Sequence, residues 1–244
     1  MLPRRGRLGS GALPVERMGH EPFTWLGGLG SAANVTTSAI IVGVLLAFAA
    51  YVRPRLASAE AAGAPESRMT ARSLAEVFTE AMSGLAESVI GEHSERYVPL
   101  LGSFFIFILF GNLVGLIPGF TPPTADFNIT FGLGAVSFVA YNVYGAREHG
   151  GKYVKQFLGP IALLAPLMVV VEVFSNLFRP VSLGIRLFAN MFADHQVVEI
   201  FTALTKLGIP VVFYVLGAFV AVVQAFVFTM LSAIYIALAV SAEH

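Results

Sequence analysis

Two arginines stand inside an apolar run long enough to be buried in a membrane: Glu172-Val-Phe-Ser-Asn-Leu-Phe-Arg179-Pro-Val-Ser-Leu-Gly-Ile-Arg186-Leu-Phe-Ala-Asn190. A charge at that depth costs about 3 kcal/mol on insertion scales and more in simulation. Such a residue must be kept out of lipid and is, by default, part of an ion pathway. The polar positions 172, 175, 176, 179, 182, 186 and 190 recur at helical spacing of three, four or seven. They form one stripe on a helix otherwise made of Leu, Phe, Val and Ile. A polar stripe through a membrane points to transport.

Composition agrees. Of 244 residues, 56% are hydrophobic and 12% charged, against about 25% charged in a soluble domain. The chain is therefore read as an integral membrane protein. A net charge of zero argues against a nucleic-acid partner. The absence of cysteine removes disulfides, thiolate metal sites and cysteine nucleophiles. No HExxH occurs, and Glu92-His93 lacks a second histidine, so no metal or other cofactor is expected and a zinc protease is disfavoured. Residues 1–17 differ from the rest. They carry arginines at 4, 5, 7 and 17 and lack the apolar stretch a signal peptide needs. We expect 1–17 to be a basic, disordered extension, or a segment ahead of the natural start at Met18. Residues 18–244 are expected to form one membrane domain.

The expected fold is all-α with about five transmembrane helices, near Val35–Val52, Val98–Ile117, Ile129–Tyr144, Pro160–Asp194 and Pro210–Val240. The first should stop at Arg53-Pro54-Arg55. The first three approach the roughly 20 residues that cross a bilayer. The last two are longer, and about 31 residues give roughly 46 Å against a core near 30 Å. They should form a strongly tilted hairpin. Leu74, Val77, Phe78, Ala81, Met82, Leu85 and Val89 recur at helical spacing, with Glu76, Glu80 and Glu87 opposite. That is an interfacial amphipathic helix, packed on the second span or docked to a partner. Basic loops at Arg53, Arg55, Arg68 and Arg72 and at Arg147, Lys152 and Lys155 flank the uncharged-to-acidic loop 120–126. The positive-inside bias makes both basic loops cytoplasmic, with the N-terminus outside and Glu243-His244 inside.

Arg186 is the leading functional candidate. An arginine stays protonated under all working conditions, so it attracts a carboxylate without itself relaying protons. Glu172 lies about 21 Å away along the helix, too far for a direct pair. Arg179 is nearer to Glu172 and is expected to pair with it structurally. Asp194, His195 and Glu199 should sit at the outer end of the same helix. His195 gives proton access there, or is an ordinary polar helix end. Asn112, Asn190 and Gln224 are amides in apolar surroundings, where a helix-to-helix hydrogen bond is the plain alternative to a channel role. Gln224 shares a face with Gly217, Ala221, Ala225 and Phe228, and such small residues allow close helix approach. That should bring it to the Arg186 stripe. Glu172 and Ser175 would be proton steps on the cytoplasmic side. The sequons at Asn34 and Asn128 are discounted as chance patterns.

The run Arg179-Pro-Val-Ser-Leu-Gly-Ile-Arg186-Leu-Phe-Ala-Asn190-Met resembles the signature helix of the ATP synthase subunit a family, the stator channel subunit of the Fo sector. The resemblance extends to Phe-Gly-Asn112-Leu-Val-Gly-Leu-Ile-Pro118, to Pro-Thr-Ala-Asp126-Phe-Asn128-Ile-Thr130 and to Gln224-Ala-Phe-Val-Phe. It implies a non-catalytic subunit in a bacterial inner membrane, working with c-ring subunits and the b subunits of the peripheral stalk. Arg186 would face the ring carboxylate, with Asn190 and Gln224 beside it. Glu172 and Ser175 match the cytoplasmic half-channel. His195 stands where many bacterial members have glutamate, and Gly217 where many have histidine, so the outer route departs from the common pattern. The alternative is a secondary transporter moving an anion against Arg186; such proteins usually show internal repeats, and none is found.

Overall fold

A computed structural model describes residues 32–60, 71–91, 93–117, 119–150, 165–205 and 208–241. The expected segments at 1–17, Met18, Arg68, Glu92, Lys152, Lys155, Pro160 and Glu243-His244 lie outside them. The described chain is helical and contains no strand: α1 (Ala33–Glu60), α2 (Ala71–Ile90), α3 (Val98–Val114), α4 (Phe127–His149), α5 (Ala165–Leu204) and α6 (Ile209–Val240). Among the described residues, five helices are long and apolar enough to cross a membrane: Ala33–Arg53, Ser94–Val114, Phe127–His149, Leu167–Leu204 and Pro210–Val240. The expected all-α membrane architecture is met.

Local chemistry sets the helix starts. Pro99 and Pro210 occupy first-turn positions of α3 and α6, where a missing N–H costs nothing. Asp126 begins α4 by accepting the Asn128 amide at 2.8 Å, a side-chain cap for an otherwise unpaired donor. Arg147 and His149 close the same helix, complementing its negative end.

The first span ends at Arg53 as expected, while its helix continues to Glu60; the basic residues end the apolar stretch, not the hydrogen-bonded helix. One expected helix end is corrected. α5 does not stop near Asp194 but runs on to Leu204. Nothing between His195 and Leu204 breaks a helix. Phe201 stacks on Phe213 of α6 at 4.3 Å, which holds the extra turns in place. The amphipathic helix α2 packs on the second span, with Phe78 against Phe105 at 5.8 Å and Met82 and Ala86 buried.

α6 is central, touching α3, α4 and α5. Without a hydrophobic drive between helices in lipid, close packing and hydrogen bonds hold such a bundle together. The crossing of α4 over α5 shows how close: a Cβ on Gly134 would lie 2.6 Å from the Pro180 carbonyl oxygen. Only glycine permits that backbone contact. Pro180 sits inside α5 and lacks the N–H that would bond the carbonyl four residues back, that of Asn176. The Tyr141 hydroxyl of α4 supplies the missing donor, reaching the Asn176 carbonyl at 3.1 Å and also its Oδ1. Asn176 Nδ2 in turn donates to Asn142 Oδ1 at 3.3 Å. The helix break is repaired by a neighbour.

Candidate functional site

The polar stripe of α5 divides into two parts. Ser175, Ser182, Arg186 and Asn190 lie on an exposed face, with Glu172 and Arg179 half-buried at its edge. Asn176 instead turns inward to Tyr141. It sits about 80° around the helix from Arg186, enough to put it on the packing side. Behind Arg186, Leu183 (2% exposed) and Leu187 (0%) are locked into the core with Phe104, Ile108 and Phe228. The backbone is therefore anchored while the guanidinium stands on the open side. No carboxylate among the described residues lies within 4 Å of it.

Asn190 and Gln224 are brought together: Asn190 Nδ2 donates to Gln224 Oε1 at 2.8 Å. Gln224 is 4% exposed, beside Ala221 and Ala225 at 1% and 0%, and those small side chains give α5 its close approach. This bond is the inter-helix contact expected from the spacing. Arg179 is not paired with Glu172. No ion pair involves either among the described residues, because seven residues separate them by about 10 Å of helical rise. The Arg179 guanidinium lies instead over the Tyr235 ring, 5.6 Å from its centroid, a cation–π contact that partly compensates its burial.

Asp194, His195 and Glu199 are all half-buried and lie well inside α5 rather than at its end. Asp194 faces α6 at Gly217: a Cβ there would be 2.7 Å from Asp194 Oδ2 and 3.0 Å from Leu116. Asn112 is buried and makes two hydrogen bonds. It receives the Thr124 hydroxyl at 2.6 Å and donates to the Ala221 carbonyl at 3.3 Å, tying the end of α3 to α6 and to the turn before α4. Among the described residues no group of three or more His, Asp or Glu could hold a metal ion.

Several polar contacts escape a reading of spacing. Asn34 donates to Asp126 Oδ2 at 3.1 Å and accepts from Thr121 at 2.9 Å, latching α1 to the loop before α4. Ser137 and Ser232 pair at 3.0 Å between α4 and α6. The cap pattern at Asp126 was the only local signal for the first; the second has none.

The arrangement presents a fixed cation on an open helix face, with uncharged amides beside it and carboxylates toward both ends. That can stabilise a passing anion. A family model described as ATP synthase A chain matches residues 35–237. ATP synthase subunit a of Bdellovibrio bacteriovorus is 47% identical over 213 residues, covering 87% of this chain and 93% of that relative. The subunit a of Solibacter usitatus is 39% identical over 211 residues, covering 86% and 88%. That of Sorangium cellulosum is 42% identical over 209 residues, covering 85% and 82%.

Proposed function

The chain belongs to the ATP synthase A chain family, and on that premise we propose that it is the proton-translocating stator of the Fo sector, with Arg186 facing the carboxylate of a rotating c-ring. The observation that carries the reading is Arg186 itself: a permanent cation, anchored by buried leucines and without a carboxylate partner among the described residues, on an exposed face. Its counter-ion then comes from another chain. Ile185 and Phe178, about 80–100° round α5 from Arg186, are exposed at 47% and 61%, as the flank of a surface awaiting an apolar ring would be.

Two water-filled half-channels reach mid-membrane from opposite sides. On the cytoplasmic side Glu172 and Ser175 carry protons; on the outer side the group around His195 does so, with Asn190 and Gln224 orienting water beside Arg186. A ring carboxylate loses its proton to one channel, passes Arg186 as an anion, and takes a proton from the other. The guanidinium lowers the cost of the bare carboxylate and blocks a direct leak between channels. Each charge crossing is worth about 2.3 kcal/mol per 100 mV, so several must pass for each ATP made elsewhere in the complex. The setting is a bacterial inner membrane, N-terminus outside and C-terminus cytoplasmic, with b subunits of a peripheral stalk holding the chain still. α5, at 40 residues, would be about 60 Å long, which favours a steep tilt along the ring.

Arg186→Ala in membrane vesicles should abolish ATP-driven pumping while the complex still assembles. Arg186→Lys should also fail, since lysine lacks the planar fork and can shed its charge. Vesicles that pump with the alanine variant would sink the assignment.

A further inference from the structure

We propose that the outward face of α4 holds one anionic phospholipid, with an acyl chain lying in a groove along the helix and the phosphate on Arg147. The site needs only that α4 crosses a membrane and is independent of how protons move. α4 has two faces. Gly134, Ser137 and Tyr141 turn toward α5 and α6, against the Pro180 carbonyl, the Ser232 hydroxyl and Asn176. About 140° round the helix from them lies a cavity of about 470 Å³, lined by Ala135, Val136, Val139, Ala140, Val143 and Arg147. These positions recur at steps of three and four, so the groove follows the helix axis. Val136, Val139 and Val143 are 52%, 57% and 41% exposed, and the short side chains at 135 and 140 leave room beside them.

Length and charge select the occupant. From Ala135 to Arg147 the helix rises about 18 Å, against about 15 Å for half of a hydrocarbon core near 30 Å. The groove therefore runs the depth of one leaflet and ends at head-group level, the reach of one acyl chain fixed at the surface. Tyr144 also lines it; its ring is held edge-on to Tyr97 at 4.8 Å, at the depth where membrane tyrosines commonly sit. Arg147 is exposed in the last turn of α4 and makes no ion pair among the described residues. Its neighbour Glu148 is taken by Arg96 at 3.4 Å, and His149 meets the Val240 carbonyl at 3.1 Å. The corner thus offers a planar guanidinium, which suits a phosphate, and no uncommitted carboxylate to receive a head-group amine. A net-negative lipid such as phosphatidylglycerol fits, whereas zwitterionic phosphatidylcholine would set its own cation beside Arg147. An arginine serving only the helix dipole would not distinguish the two.

The test strips lipid from the purified full chain in detergent. It then titrates in phosphatidylglycerol or phosphatidylcholine of equal chain length, counting bound lipids by native mass spectrometry. The first phosphatidylglycerol should bind about fivefold more tightly than phosphatidylcholine, the ratio one cation gives near an anionic head group. Arg147→Gln should abolish that preference and Arg147→Lys should keep most of it. Ala140→Phe, which fills the groove and spares the charge, should weaken both lipids. Arg53→Gln, which removes a cation from α1, should match the parent. A preference that survives Arg147→Gln or falls as far in Arg53→Gln overturns the proposal, and so does binding indifferent to Ala140→Phe. The whole complex supplies a second readout. Because the chain has no cysteine, Val139→Cys gives this subunit a single position for a photoreactive label. In native membranes the label should cross-link to phospholipid. A cross-link to a protein chain in its place would make the groove an interface between subunits and overturn the lipid site.

Discussion

Replacing Tyr141 by Phe tests how α5 tolerates a proline at its centre. The hydroxyl lies 3.1 Å from the Asn176 carbonyl, the acceptor that Pro180 leaves without its helical donor, and Tyr141 is 1% exposed. No water can take over there. Leaving a buried acceptor unpaired costs about 1–3 kcal/mol. The same proton is shared with Asn176 Oδ1, and a side-chain bond of that kind is worth about 0.6 kcal/mol on average inside a membrane bundle. Tyr141→Phe should therefore destabilise the chain by about 2 kcal/mol, roughly a thirtyfold change in the folded-to-unfolded ratio. In a Pro180→Ala background the new N–H can bond Asn176 itself. The same tyrosine replacement should then cost only about 0.6 kcal/mol, leaving a coupling of about 1–1.5 kcal/mol between the two sites. The measurement is a dodecyl sulfate titration of the purified chain in mixed micelles, followed by near-ultraviolet circular dichroism. Equal losses in both backgrounds would refute the account, because the hydroxyl would then be serving something other than the carbonyl freed by the proline.

Asp126→Ala removes both the α4 cap and the Asn34 latch, and should cost about 1–2 kcal/mol at that corner. Amide exchange should speed up at 127–130 and at the start of α1; protection unchanged at both places would contradict the latch. Glu172→Gln should slow proton flow from the cytoplasmic side more than from the other, because it lies about 21 Å from Arg186 along the helix. Equal slowing in both directions, or none, would remove it from the cytoplasmic half-channel.

Much of this architecture was legible in the residues. Apolar runs of the right length give five spans, because hydrocarbon demands about 20 apolar residues per crossing. The exposed Arg186 and its amide neighbours followed from steps of three and four on one helix. Spacing, however, reports the face of a helix and not what lies against it. That is why Arg179 was expected on Glu172 and found over Tyr235, and why Asn176, at the margin of the stripe, turned inward. The extension of α5 to Leu204 is not legible in spacing, because the charged cluster at 194–199 resembles a helix end and the stacking that sustains the extra turns comes from α6. The gap at Gly217 is invisible for the same reason. Its meaning depends on which side chain another helix points into it.

The latch between Asn34 and Asp126 spans 92 positions of sequence, and this has a consequence for how the protein is made. During synthesis α1 enters the membrane long before its anchor exists. At roughly 5–20 residues per second, about 5 to 20 s pass before Asp126 leaves the ribosome. Through that interval α1 offers Val35, Val44 and Leu46, still more than 60% exposed in the finished fold, to whatever is nearby. The first helix to arrive thus packs against α2 and α3 before its polar latch can form. That latch waits for the emergence of the fourth helix.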